Sequence, residues 1–205
     1  MYKKFSAFIL IISLCISLSA CGVKIINPLS SNDSEINIGR SVEKRKYSKQ
    51  YLRIEPAKYG IYKLKRIKTN VNIIENQGPF MIEIKSIKIA TFKPYKKYIH
   101  VFGNKKKYTL ISLDLYIKNN SDTLGYIYPD QGVITTNSKE QVEADMTLSG
   151  KVGGEFNKYG ERYGTIVFLL NSSPKKINKF SLTIDAPNNT DLDPLGESFT
   201  FKLDI

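Results

Sequence analysis

The chain has 205 residues, with 31 Lys+Arg against 19 Asp+Glu, 41% apolar residues, two cysteines, one histidine and no tryptophan. That length accommodates one domain with an extension, or two small domains, and the apolar fraction supports a packed core, which excludes wholesale disorder. No apolar run approaches the roughly 20 residues of a membrane-spanning helix, and one histidine with two cysteines leaves little for zinc or nucleophilic sites.

At the N-terminus, Lys3 and Lys4 precede an apolar stretch from Phe5 to Leu18, followed by Leu18-Ser19-Ala20-Cys21-Gly22. Charge, a short apolar block and small residues in that order describe a secretory signal peptide over residues 1–20. Leu-Ser-Ala-Cys resembles the lipobox of bacterial lipoproteins. That resemblance implies cleavage before Cys21, a diacylglyceryl group on its sulfur and palmitate-type acylation. A thiolate is the natural side-chain nucleophile for such alkylation, and two or more acyl chains hold a protein firmly to a bilayer. Cys15 leaves with the leader and Cys21 carries the lipid, so no disulfide is expected and the fold must rest on core packing.

Residues 21–57 read as a lipid-anchored polar tether, with Ser30-Ser31-Asn32-Asp33-Ser34, the basic run Lys44-Arg45-Lys46 and no apolar face at either period. A domain is expected over residues 58–205. Its entry, within residues 51–77, is ambiguous, since Ile61, Leu64 and Ile67 fit a helical face or a short strand, and it reads as an irregular segment with one strand. Beyond it the sequence alternates at period two, the pattern of half-buried strands. Phe80, Ile82 and Ile84 share one face, and Ile87 and Ile89 continue in the opposite phase, which places a bulge near Ser86. Ile111, Leu113, Leu115 and Ile117 form the next strand, closed by the turn Asn119-Asn120-Ser121-Asp122. Leu124, Tyr126 and Tyr128 alternate, as do Val142, Ala144 and Met146. Thr165 to Leu170 is apolar on both faces, as in a central strand, and Phe180-Leu182-Ile184 and Phe199-Phe201-Leu203-Ile205 are half-buried strands. About seven short strands with Gly, Pro and Asn turns predict an all-β antiparallel β-sandwich, with a small barrel as the alternative.

Leu113–Asp122 (LDLYIKNNSD) resembles a strand-turn of an immunoglobulin-like lipoprotein domain family of unknown function, common in Gram-positive bacteria and similar in fold to a mycobacterial secreted immunoprotective antigen. Tyr128–Gly132, Glu140–Asp145, Val152–Phe156 and Gly164–Phe168 follow in the same order, so the resemblance spans residues 78–205. It implies a sandwich fold, export and a lipid anchor, and it carries no catalytic motif.

Side chains with chemistry are few. His100, the single histidine, reads as a structural strand or loop residue. Asp185, Asp191, Asp193 and Glu197 crowd a loop with Asn188 and Asn189, but the spacing is not that of an EF-hand, so a solvated turn is expected and no metal. Glu140 and Glu155 lack any glycosidase signature, and Gly153-Gly154 suits a positive-φ turn better than a phosphate cradle.

Charge is the informative feature. Residues 22–107 hold 20 Lys+Arg and 6 Asp+Glu, whereas residues 108–205 hold 9 and 13. Lys93, Lys96, Lys97, Lys105, Lys106 and Lys107 flank Tyr95, Tyr98, Phe102 and Tyr108 in one loop, a pattern suited to gripping a polyanion. Lysines outnumber arginines 26 to 5, which favours point-charge attraction over sequence-specific nucleic-acid reading. The expectation is a non-enzymatic module without cofactors, anchored at the outer face of the cell membrane. It binds a cell-wall polyanion or another anionic envelope component through the 93–107 loop, or else serves as an accessory subunit of an envelope protein complex.

Overall fold

The structure, a computed structural model, describes residues 58–205. The expected signal peptide, the tether and Cys21 lie outside the described residues. Among the described residues, ten strands form two four-stranded antiparallel sheets and a two-stranded ribbon. The first sheet runs β1 (Gly60–Gln77), β2 (Phe80–Pro94), β3 (Tyr108–Asn119), β8 (Glu161–Leu170), in that spatial order. The second runs β10 (Phe199–Asp204), β9 (Lys179–Ile184), β5 (Val133–Thr136), β6 (Gln141–Glu143). The ribbon joins β4 (Gly125–Ile127) to β7 (Gly154–Phe156). None of the helices among the described residues is long and apolar enough to cross a membrane.

The core is what the alternation demands. Phe80, Ile82, Ile84, Ile87 and Ile89 of β2 and Ile111, Leu113, Leu115 and Ile117 of β3 all point into one cluster. Phe180, Leu182, Phe199 and Phe201 of the facing sheet fill the same cluster, so the two sheets are layers of one sandwich. The bulge near Ser86 is present: Ile84 pairs with Leu115 and Ser86 with Asp114, leaving Lys85 as the extra residue that restores Ile87 to the inner face. Asn119 ends β3 as its turn chemistry predicts. Its amide donates to the Thr123 carbonyl at 2.8 Å and its oxygen accepts from the Ser121 backbone N–H at 3.0 Å.

A smaller cluster lies on the opposite face of the first sheet, because Ala90, Phe92, Leu110 and Val167 alternate with the main-core residues. A seven-residue 3₁₀ segment, Lys96–Phe102, folds over it and buries Phe102. A turn at residues 145–150 covers the rest with Leu148.

The structure differs from expectation at four places. The ambiguous entry is an 18-residue strand, β1, rather than a helix or a short strand. Its pattern is scrambled by register shifts between Leu64 and Arg66 and between Thr69 and Ile73, and Ile61, Leu64 and Ile67 are exposed. The segment around Tyr126 takes the phase opposite to the one read from Leu124, Tyr126 and Tyr128: Ile127 is buried and Tyr128 exposed. Met146 is exposed because β6 ends at Glu143. Thr165–Leu170 is not central: β8 ends its sheet. Its two apolar faces are explained by the 145–150 turn, whose Asp145 and Gly150 N–H groups donate to the Val167 and Thr165 carbonyls at the strand's outer edge. The strand count exceeds seven because β4, β6 and β7 have three residues each, too short to show a period.

Candidate anion-binding groove

The six lysines singled out in the sequence do not act as one loop. Lys96 and Lys97 sit on the 3₁₀ segment, where Lys97 lies 4.8 Å over the Tyr98 ring. Of the aromatics beside them Tyr95 is exposed, whereas Tyr98, Phe102 and Tyr108 are packed. Tyr98 meets Tyr59 edge-on at 5.1 Å, Phe102 meets Phe92 at 5.3 Å, and the Tyr108 hydroxyl donates to the Phe102 carbonyl. Lys105 donates to the Asn171 side-chain oxygen and lies 5.6 Å over Tyr108. It also faces Glu140: burial pushes that carboxyl's pKa up, but hydrogen bonds from Ser172 and Asn171 and the Lys105 charge outweigh it and hold the pKa low. Lys106 is exposed.

Lys93 and Lys107 belong to a different place. On the inner face of the first sheet the main core stops at Ile89 and Ile111. The next cross-strand rows are Lys63–Thr91–Thr109 and, beyond it, Ile61–Lys93. Lys65 is the extra residue of the β1 bulge, since Leu64 pairs with Ala90 and Arg66 with Ile89. A bulge sets two neighbours against one partner, so Lys65 and Arg66 both turn into the space that Lys63 and Lys93 border.

That space is a groove of two adjoining hollows. One, of about 520 Å³, lies between Lys65, Lys107 and Thr91 and a wall at Ser173, Pro174 and Lys175. The other, of about 340 Å³, continues along Ile61, Lys63 and Lys93 and shares Lys65, Thr91 and Lys107 with the first. Arg66 fastens the wall: its guanidinium donates to the Pro174 carbonyl at 2.6 Å, to that of Ile177, and to the main-chain oxygen of Ile205 at 3.3 Å. Thr109 adds a bond from its hydroxyl to the Ser172 carbonyl at 2.5 Å.

Among the described residues, five lysines therefore line the groove, at positions 63, 65, 93, 107 and 175, and no Asp or Glu lines either hollow. The ion pairs among the described residues lie elsewhere, at Lys68–Asp204, Lys85–Glu83 and Lys88–Asp114. Like charges gathered without a counter-charge repel one another and create a positive field that an anion relieves. Thr91 and Ser173 add hydroxyl donors.

The sequence pointed to Lys93 and Lys107 and missed Lys63, Lys65 and Lys175. The first two were hidden in the ambiguous entry, and the third arrives from a distant turn. Only the period-two spacing of Ile61, Lys63 and Lys65 hinted at a shared strand face.

The remaining candidates have structural duties. Asn189 closes the acidic loop by accepting from the Asp191 and Asp193 backbone N–H groups at 2.9 and 2.8 Å, and no group of His, Cys, Asp or Glu among the described residues is arranged to hold a metal ion. His100 is exposed on the 3₁₀ segment. Glu140 accepts the Asn171 and Ser172 N–H groups after β8, and Glu155 accepts the Tyr126 hydroxyl at 3.3 Å. Gly154 takes φ +105°, and a Cβ on Gly153 would sit 2.0 Å from an Asp130 carboxylate oxygen.

No family model matches the chain, and no curated protein matches it. Among solved structures, one of a protein of unknown function from Listeria monocytogenes is similar at TM-score 0.55 and 14% identity, over 71% of this chain and 87% of that one. A proposed lipoprotein of Bacillus subtilis, YcdA, aligns at TM-score 0.46 and 13% identity, over 67% of this chain and 39% of its own. The YjhA protein of Bacillus subtilis aligns at TM-score 0.48 and 10% identity, over 67% of this chain and all of its own. The first likeness places this sandwich in a fold already seen; none carries an activity.

Proposed function

We propose that the protein is a membrane-anchored lipoprotein on the extracytoplasmic face, and that its immunoglobulin-like sandwich is a non-enzymatic module binding an anionic component of the cell envelope. The anchor rests on the lipobox ending at Cys21. The binding role rests on one observation: five lysines from two strands, a loop and a turn converge on a groove that no Asp or Glu of the described residues lines. Lysine-driven attraction to a polyanion weakens steeply with salt, as contacts release bound counterions. Binding of the full chain to isolated envelopes is expected to fall by at least tenfold between about 50 and 200 mM salt. Salt-insensitive retention refutes the anionic reading. Cys21→Ala is expected to release the protein to the medium or leave an unprocessed precursor; an acylated, membrane-held variant refutes the anchor.

A second reading, an accessory subunit of an envelope complex, draws on β1. This strand ends its sheet and displays Ile61, Leu64, Ile67 and Ile74, each 39–61% exposed, beside its lysines. Salt-insensitive retention by a protein partner is the result that favours it.

A further inference from the structure

The two hollows share Lys65, Thr91 and Lys107, yet each has a cation of its own: Lys175 lines only the larger, and Lys63 and Lys93 only the smaller. A single small anion would occupy one hollow and leave the far lysines unneutralised. We infer that the groove takes a linear phosphodiester chain, with consecutive phosphates in the two hollows and Lys65 and Lys107 between them. This rests on the anionic reading above and specifies its ligand.

Three features favour phosphates joined by short carbon spacers. First, the cations are lysines apart from Arg66, whose fork is taken up by the Pro174 and Ile177 carbonyls, and lysines are compact point charges that suit tetrahedral phosphate oxygens without the planar fork that carboxylate recognition rewards. Second, a hydroxyl donor stands at the shared boundary, Thr91, and another on the wall, Ser173. A phosphodiester has acceptor oxygens for both. Third, Ile61, 61% exposed, forms the apolar lip of the smaller hollow beside Lys63 and Lys93. It offers a surface to the carbon segment between two charges. Alternate residues on one strand face stand about 6.6 Å apart, so Ile61, Lys63 and Lys65 present apolar and cationic groups as a ladder along the chain's path. The wall that closes the larger hollow is held by Arg66 and Thr109, so the groove is formed before a ligand arrives.

The test is calorimetric titration of the full-length chain, held in a non-ionic detergent for the soluble probes and in detergent-free phosphatidylcholine nanodiscs for the vesicle probe. The probes are glycerol phosphate, a chain of about ten glycerol phosphate units, and phosphatidylglycerol vesicles, the last to separate a lipid headgroup source from a free polymer. The chain is expected to bind at least tenfold more tightly than the monomer after correction for its number of registers. Lys175→Ser and Lys93→Ser are each expected to weaken the chain several-fold, and each to spare monomer binding in the hollow it does not line. Monomer binding as tight as chain binding overturns the two-subsite inference and leaves the anionic reading standing. Binding to vesicles without binding to the chain overturns the inference in favour of a lipid surface. Binding to none of the probes overturns both.

Discussion

Arg66→Ala tests the join between the two halves of the groove. The guanidinium spans from the β1 bulge to the turn after β8, donating at 2.6 Å to Pro174, to Ile177, and more weakly at 3.3 and 3.4 Å to Ile205 and Asn178. A hydrogen bond from a charged donor contributes about 1.5–3 kcal/mol when buried. Three of these bonds are part-buried, the one to Asn178 is exposed, and two are long, so the four together are worth about 2–3 kcal/mol after screening. At roughly 2–4 °C per kcal/mol for a domain of this size, Arg66→Ala is expected to lower the melting temperature by about 5–10 °C, read by circular dichroism. Arg66→Lys keeps the charge but loses the fork, so it is expected to recover only part of the stability. It is also expected to weaken anion binding, because the Ser173–Lys175 wall is no longer fixed. A melting temperature within about 1 °C of the parent for Arg66→Ala would refute the reasoning. Full anion affinity in Arg66→Lys would show that the guanidinium does not position the wall.

Deleting Phe199–Ile205 removes two fully buried phenylalanines and Leu203. At about 1.5–3 kcal/mol each the loss matches the whole stability of a typical domain, and no cooperative melt is expected. Glu140 has a lowered pKa, so its stabilisation is present above the ordinary value of 4.5 and lost as pH falls through the lowered one. Glu140→Gln is expected to flatten that part of a stability–pH curve measured by urea titration. Asp145 has the opposite sign. Burial raises its carboxyl pKa against the bonds it accepts from the Leu148 and Thr147 N–H groups, so its contribution is present below the ordinary 3.8 and lost as pH rises through the raised value. Asp145→Asn keeps the turn acceptor without the charge and is expected to be no less stable than the parent at pH 7, whereas Asp145→Ala loses the turn at a cost of about 1–2 kcal/mol. Gly153→Ala drives a methyl into the Asp130 carboxylate and is expected to destabilise by about 1–3 kcal/mol.

The two layers were legible wherever a strand buries one face and exposes the other. Ile111–Ile117 and Phe199–Leu203 carry their phase in plain alternation, and even the bulge at Ser86 shows as a break in it. β1 was not legible, because it ends its sheet, exposes most of its apolar residues and shifts register twice, so no single period survives. The packing of Phe102 and of the half-buried Tyr98 and Tyr108 was hidden for a related reason: their partners Tyr59 and Phe92 come from β1's approach and β2, and composition alone cannot distinguish an aromatic that packs from one that grips. The groove was half legible. Lys93 and Lys107 flank a loop whose charge is obvious in one dimension, but their neighbours Lys63 and Lys175 join them only through strand pairing and the Arg66 clasp.

The most direct measurement compares two triple variants of equal charge change, by titration of the full chain with a glycerol phosphate chain. Lys63, Lys65 and Lys107 together changed to Ser removes three of the groove's five lysines, and Lys96, Lys97 and Lys106 together changed to Ser removes as many outside it. The account predicts that the first variant loses most affinity and lowers the salt slope by about one per phosphate-contacting lysine, while the second stays within a few-fold of the parent. Equal losses in both would contradict it, because the attraction would then belong to net charge and not to the groove.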